Sequence, residues 1–146
     1  MLRANNVEEH IFINFLDGVA LCYNDPTIAP YHSITHAADV CQGLHVLLHE
    51  GGLAQLLQVS KLEHLGAYVA ALVHDVDHPG LGNGFLVNTK DELALLYNDQ
   101  SVLENHSVAQ AFILLKDVHL NIFGHLPPKD YKKVREIIIK MVLATD

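Results

Sequence analysis

The segment His74-Asp75-Val76-Asp77-His78-Pro79 places two kinds of metal ligand at the point where a long apolar run ends. The run extends from Leu65 to Val73. A histidine followed directly by an aspartate is poorly suited to a hydrophobic core. The nitrogen and oxygen donors of the two side chains do suit a hard or borderline cation. The pair therefore favours metal-assisted hydrolysis as a first hypothesis.

A second group of histidines precedes this segment. His32 and His36 are four residues apart, so on a helix their imidazoles share one face, and one could bind a metal while the other faces a substrate. At about 100° per residue, His45 and His49 fall on the opposite face of the same helix. Alone the His32/His36 spacing is weak evidence. With His74 and Asp75 it gives a ligand set that leaves coordination positions open, as catalysis requires.

Composition limits the classes of partner. A chain of 146 residues with 50% hydrophobic residues is about one domain with a real core. A net charge of −8 argues against binding nucleic acid or an anionic membrane by bulk electrostatics. Cys22 and Cys41 lie in apolar helical patterns, which favours buried thiols over a disulfide. No signal peptide or membrane span is predicted, so we expect a cytoplasmic protein.

The elements that must position these residues all follow a helical pattern. Four segments carry the capping-box pattern, each followed by apolar residues at helical spacing: Asn6/Glu9, Ser60/Glu63, Thr89/Glu92 and Ser101/Glu104. Two further helices are predicted from Ser33 to Leu48, ending at Gly51-Gly52, and from Pro128 to the C-terminus. No strand pattern competes, so the fold class is predicted to be all-α, a compact array of several helices.

The last predicted helix is apolar on nearly every side, because its apolar residues run from Val134 to Ala144 with few polar breaks. Such a helix needs to be surrounded. We therefore expect the remainder of a longer domain, or a partner chain, to cover it.

Five segments together resemble the signature segments of the class I cyclic nucleotide phosphodiesterases, in the same order. They are YHSITHAADV (31–40), HDVDHPG (74–80), ELALLYND (92–99), SVLENH (101–106) and LATD (143–146). The resemblance covers almost the whole chain from Pro30 onward. It implies a helical fold of the HD superfamily of metal-dependent phosphohydrolases.

The resemblance also implies a role for individual residues. His36, His74 and Asp75 would be ligands of a tightly held Zn²⁺, and Asp75 would bridge to a second ion, Mg²⁺ or Mn²⁺. His32 would be the general acid.

Five other residues would act around these ions. His78, Glu104 and Thr145 would hold metal-bound waters. Tyr31 and Asn83 would bind the substrate on the phosphate side of the pocket.

The expected reaction is the hydrolysis of a 3′,5′-cyclic nucleotide to the nucleoside 5′-monophosphate. Two cations would neutralise the phosphodiester and lower the pKa of a bridging water, whose hydroxide attacks phosphorus. A protonated His32 would donate to the basic O3′ leaving group. The HDVDHPG and ELALLYND segments read closest to members that act on cAMP, so cAMP is favoured over cGMP.

The resemblance further implies that three functional residues lie beyond Asp146: the fourth zinc ligand, the glutamate that keeps His32 protonated, and the glutamine that holds the purine. Residues 1–146 are thus expected to be the N-terminal part of a single catalytic domain, truncated and weakly active or inactive alone. Ser33 and Ser107 depart from the asparagine and histidine usual in the family and are interpreted as lineage variation. The alternatives are another HD-type phosphohydrolase, or a catalytically incomplete helical module that binds metal or a nucleotide.

Overall fold

The computed structural model describes residues 6–146, and this part of the chain is entirely helical, which confirms the predicted all-α class. Residues 1–5 lie outside the described part. The helices are α1 (Glu9–Leu21), α2 (Ile34–His45), α3 (Leu53–Leu56), α4 (Lys61–Val73), α5 (Asn83–Thr89), α6 (Glu92–Leu96), α7 (Val102–Leu114) and α8 (Pro128–Leu143), and a π-helical turn (Val46–Glu50) follows α2.

Helix α4 organises the core, because it packs against both α2 and α8. It is buried over most of its length, including Leu65, Val69 and Val73. A fully buried side chain of this size contributes about 1.5–3 kcal/mol relative to exposure. The apolar run that ends at the His-Asp pair is therefore the central helix of the domain, and it delivers that pair to the end of the core.

The crossing of α4 and α8 is close at Gly66. A Cβ atom at this position would lie 2.8 Å from the Cγ2 atom of Ile137 and 3.3 Å from its Cβ atom. Since a real Cβ essentially never lies 2.8 Å from another heavy atom, any other residue at position 66 would require Ile137 to shift, and glycine avoids this conflict at the crossing.

One of the four predicted capping boxes forms. The Ser60 hydroxyl accepts from the backbone N–H of Glu63, and the Glu63 carboxylate accepts from the backbone N–H of Ser60 at 2.8 Å. This reciprocal pair starts α4 as the pattern predicts.

The other three capping predictions are wrong. Helix α1 begins after Glu8, with no side-chain cap from Asn6. Asp91, and not Thr89, caps α6 by accepting from the backbone N–H of Leu93. Ser101 precedes α7 but its hydroxyl donates to Asp146 at 2.7 Å, so that side chain is engaged by another element.

The predicted helix over Ser33–Leu48 is found, but its last part is a π-helical turn. The N–H of Gly51 donates to the carbonyl oxygen of Val46 at 2.8 Å, which is a bond across five residues. A Cβ at Gly51 would lie 2.8 Å from the carbonyl oxygen of Leu47, so the glycine is what lets the chain close this wider turn.

Helix α8 is less exposed than its composition predicts. Val134, Ile138 and Val142 are buried in the core, and Ile137 is partly buried beside α4. Among the large hydrophobic residues of α8, Met141 is the exposed one, with 38% of its surface accessible.

Two further expectations concern the whole of residues 6–146. Both cysteines are free thiols, as predicted, and burial raises the pKa of the Cys41 thiol to about 11. Over the described range, no helix combines the length and apolar character needed to cross a bilayer.

Candidate metal centre

Three of the predicted ligands converge at the ends of α2 and α4. The Nε2 atoms of His36 and His74 are 3.3 Å apart. The Oδ2 atom of Asp75 lies 3.2 Å from the Nε2 of His74 and 3.6 Å from the Nε2 of His36. These three donor atoms form a nearly equilateral triangle, and all three side chains are largely shielded from solvent.

Local hydrogen bonds position the backbone of His36 and the ring of His74. Ser33 caps α2 by accepting from the backbone N–H of His36, which fixes the first turn that carries this histidine. His74 follows the last residue of α4, and its Nδ1 lies 3.0 Å from the carbonyl oxygen of Ala71. Since a carbonyl oxygen only accepts, Nδ1 of His74 carries a proton, and the lone pair of the neutral ring is on Nε2, facing the other donors.

The donor set and its dimensions fit Zn²⁺. Ligands about 2.0–2.1 Å from a tetrahedral ion lie roughly 3.3–3.4 Å from one another, and the observed separations are 3.2, 3.3 and 3.6 Å. Two nitrogens and one carboxylate oxygen are donors that zinc accepts, and three protein ligands leave a coordination position open.

A second group of possible ligands shares one residue with the first. His32, Asp75 and His78 each offer a donor atom within 4.8 Å of the others. The rings of His32 and His78 are stacked, with centroids 3.6 Å apart. Asp75 belongs to both groups, so its carboxylate would be shared if each group held an ion. Two imidazoles are unusual donors for Mg²⁺, so this group does not by itself identify a second ion.

Partial burial and their mutual contact shift the pKa values of His74 and Asp75. For Asp75, burial favours the neutral acid, but the hydrogen bond and charge of His74 outweigh it and hold the pKa of the carboxyl below 3.8. For His74, burial opposes the cation, yet the carboxylate of Asp75 raises its pKa above 6.5. Burial and the neighbouring His32 lower the pKa of His78. Asp75 is therefore ionised near neutral pH, as a ligand must be.

These groups line one wall of a cavity of about 450 Å³. The apolar part of the lining comes from α2, α4 and α8. The full lining is Tyr31, His32, His36, Val40, Leu44, Ala70, Ala71, His74, Asp75, His78, Glu104, Met141 and Thr145. A space of this size, with polar groups on one side, accommodates a small organic ligand.

Residues 31–146 match the 3′5′-cyclic nucleotide phosphodiesterase family. The chain belongs to this family. A rat protein named 3′,5′-cyclic-AMP phosphodiesterase 4C is 51% identical over 116 residues, which are 80% of this chain and 21% of the rat protein. A Caenorhabditis elegans protein named probable 3′,5′-cyclic phosphodiesterase pde-1 is 43% identical over 133 residues, or 91% of this chain and 20% of that protein.

Solved structures of the family share the fold. The phosphodiesterase domain of a rhodopsin phosphodiesterase from the choanoflagellate Salpingoeca rosetta superimposes with a TM-score of 0.86 at 35% identity. The match covers 99% of this chain and 44% of that domain chain. A second structure of the same domain gives a TM-score of 0.85. The chain spans about a fifth of the length of the curated relatives it matches.

Of the other residues that the family resemblance predicts at the site, some line the cavity and one does not. Glu104 and Thr145 line the cavity, and the hydroxyl of Thr145 donates to the carbonyl oxygen of Val142 at 2.7 Å. Tyr31 also lines it, 66% exposed, with its ring 4.4 Å from that of His36. The roles in substrate and water binding stay predictions.

Asn83 lies behind the cavity and is not among its lining residues. Its side-chain amide donates to Glu104 at 2.9 Å and to Asp146 at 3.2 Å, and its oxygen accepts from the N–H of Leu103. This arrangement holds the Glu104 carboxylate, so a contact between Asn83 and substrate remains a prediction.

Sequence reasoning missed one buried contact beside the centre. The Nε2 of His106 lies 2.8 Å from the Oδ2 of Asp77, and Asp77 also accepts from the amide of Asn24. His106 is buried, and its Nδ1 has no partner within the described residues. The signal was the pairing of an acidic and a basic residue in two of the recognised segments.

The two departures from the family pattern have structural roles. Ser33 is the cap of α2, and the hydroxyl of Ser107 donates to the carbonyl oxygen of Val76 at 2.7 Å in a buried position. Neither residue lines the cavity.

Proposed function

We propose that the protein containing this chain hydrolyses a 3′,5′-cyclic nucleotide to the nucleoside 5′-monophosphate. The observation that carries this proposal is the convergence of His36, His74 and Asp75 in a family member, with His32 beside them on the same cavity wall. Zn²⁺ on the three ligands, with Mg²⁺ or Mn²⁺ as a second ion, would supply Lewis-acid charge and an activated water.

His32 is the group we assign as general acid. It lines the cavity and precedes the N-cap of α2, four residues before the ligand His36, and its ring lies between Tyr31, with centroids 5.1 Å apart, and the face of His78, with centroids 3.6 Å apart. The leaving O3′ alkoxide is strongly basic, so ring opening needs a proton at this atom. A donor atom of His32 lies within 4.8 Å of the carboxylate of Asp75, so the imidazole is close to the expected metal centre.

The apolar wall suits the base of a nucleotide. Val40, Leu44 and Met141 line the cavity together with the ligands, and a flat purine buries its surface against such side chains. We favour cAMP over cGMP, which the name of the rat relative supports. We also propose a cytoplasmic protein, of which residues 1–146 form part of one catalytic domain.

Product analysis tests the activity. The natural polypeptide that contains this sequence, supplied with Zn²⁺ and Mg²⁺, is incubated with cAMP or cGMP, and products are separated by chromatography. We expect the 5′-monophosphate alone, loss of activity with a chelator, and a higher kcat/KM for cAMP. Release of inorganic phosphate from another phosphoester, without ring opening, would favour the alternative HD-type hydrolase. Absence of turnover would favour a binding module.

A higher kcat/KM for cGMP would overturn only the substrate preference. The reaction class and the preference are therefore separable in one experiment.

A further inference from the structure

Three histidines cluster on the surface away from the metal centre. We call His45, His49 and His64 the lateral cluster. The ring centroids of His45 and His49 are 4.6 Å apart, and those of His49 and His64 are 5.7 Å apart. None of the three lines the cavity described above. Their function is therefore independent of the proposed hydrolysis.

Two helices build the lateral cluster by pairing residues four apart. His45 ends α2 and His49 lies in the π-helical turn, while His64 and Tyr68 are one turn apart on α4. His45 contacts Tyr68, and His49 lies beside His64. The packing of α2 on α4 thus brings two rows of side chains together at their ends.

Hydrogen bonds hold the Nδ1 atoms and leave the other ring nitrogens open. Nδ1 of His64 is 3.1 Å from the carbonyl oxygen of Ser60, which only accepts, so this nitrogen carries the proton and Nε2 of the neutral ring has a free lone pair. Nδ1 of His45 is 2.9 Å from the hydroxyl of Tyr68, which can donate or accept. An imidazole with Nδ1 anchored and Nε2 available, as in His64, is typical of metal-binding histidines.

We propose that the lateral cluster binds one divalent transition-metal ion through imidazole nitrogens, with Cu²⁺ bound more tightly than Ni²⁺ or Zn²⁺. Imidazole suits these metals, whereas Mg²⁺ and Ca²⁺ require oxygen donors that the cluster lacks. His45 and His49 are exposed and His64 is partly exposed, and since exposed side chains change rotamer readily, the rings can exchange their present hydrogen bonds for contacts with one ion. The net charge of −8 favours binding of a cation.

The cluster differs from the metal centre in preorganisation. At the centre the donors already lie 3.2–3.6 Å apart, while the lateral rings must turn to converge. The lateral site therefore binds more weakly, and it fills only after the centre when Cu²⁺ is titrated into the chain.

Equilibrium dialysis against Cu²⁺ tests the proposal. The chain carrying Asp75→Asn, which removes the residue shared by both ligand groups of the centre, is compared with the same chain carrying His49→Gln in addition. We expect His49→Gln to remove about one bound Cu²⁺ per chain. Electron paramagnetic resonance of the Cu²⁺ in the first chain should show nitrogen ligands, and the integrated intensity of this signal should fall by about one Cu²⁺ per chain in the second.

Two further variants complete the test. His64→Gln should have the same effect as His49→Gln, and His125→Gln, which changes an exposed histidine outside the cluster, should leave the bound Cu²⁺ unchanged. Equal Cu²⁺ binding with and without His49→Gln overturns the proposal, and so does an equal loss in His125→Gln. Circular dichroism of each variant verifies that the helices are retained.

Discussion

His36 and His74 face each other across two helices with their Nε2 atoms 3.3 Å apart. Because Nδ1 of His74 carries the proton, Nε2 of the neutral ring accepts, either from an N–H at Nε2 of His36 or from a cation bound by both nitrogens. His74 has its Nδ1 held by Ala71 and cannot avoid the contact by changing tautomer. The pair is therefore the clearest indicator of metal binding in the described chain.

The first prediction concerns metal content. His74→Ala removes one corner of the donor triangle, and we expect bound zinc to fall by about one per chain, measured by plasma mass spectrometry after dialysis at low free zinc. Hydrolysis by the natural polypeptide should be lost with it. His119→Ala, which changes an exposed histidine distant from the centre in sequence, is the control and should retain both. Full zinc content in His74→Ala would contradict the assigned ligand set.

The second prediction separates proton donation from metal binding. In the natural polypeptide, the His32→Gln variant should keep its zinc. Its kcat for cAMP should fall about 10²–10⁴-fold, since this is the typical contribution of a general acid. A phosphodiester with p-nitrophenolate as leaving group needs no proton, so its turnover should fall much less. An equal loss for both substrates would mean that His32 has another role.

The third prediction concerns the contact between Asp77 and His106. It joins the loop after the His-Asp pair to α7 at 2.8 Å, so it should stabilise the position of that loop. A double-mutant cycle with Asp77→Asn and His106→Gln should give a coupling energy of about 0.5–3 kcal/mol in urea unfolding. Asn tolerates the left-handed backbone of residue 77, where φ is 58°. Additive effects would show that the contact is incidental.

The fourth prediction concerns the cap of α4. Ser60→Ala should lower the free energy of unfolding by about 0.5–2 kcal/mol near pH 7, measured by urea unfolding. Hydrogen bonds from the hydroxyl and N–H of Ser60 lower the pKa of Glu63 below 4.5. The ionised carboxylate thus adds stability above the unfolded-state pKa, and this part is lost as the pH falls through the lower folded-state pKa.

The difference between the wild-type chain and Ser60→Ala should accordingly narrow at acid pH. Thr89→Ala is the matched control, because Thr89 fits the same sequence pattern but does not cap a helix in the structure. It should change stability by no more than about 0.5 kcal/mol. A larger effect from Thr89→Ala than from Ser60→Ala would contradict the assignment of the caps.

The features that could be predicted from the sequence are those that depend on the spacing of apolar residues and on the types of residue in a motif. The apolar spacing gave α4 and the start of α2, and the resemblance named the three ligands that the structure brings together. The first turn of α2 and the end of α4 are set by local signals, Ser33 and the end of the apolar run, so local reading was enough.

The failures depend on contacts between distant residues. Ser101 fits a capping pattern, but its hydroxyl binds Asp146, 45 residues away. The bonds from the Asn83 amide to Glu104 and Asp146 likewise join distant elements, while its contact with substrate stays a prediction. A pattern read along one element does not reveal which side chain another element will engage, so the network behind the cavity was invisible at that level.

The close crossing at Gly66 has a consequence for the evolution of ligand preference. Helix α4 brings Ala70, Ala71 and His74 to the cavity, and α8 brings Met141. Gly66 is not among the lining residues, yet the absence of a side chain there lets these two helices cross closely. A methyl group added at position 66 would meet Ile137 on α8, so substitution of a residue that never meets the ligand can alter the shape of the pocket.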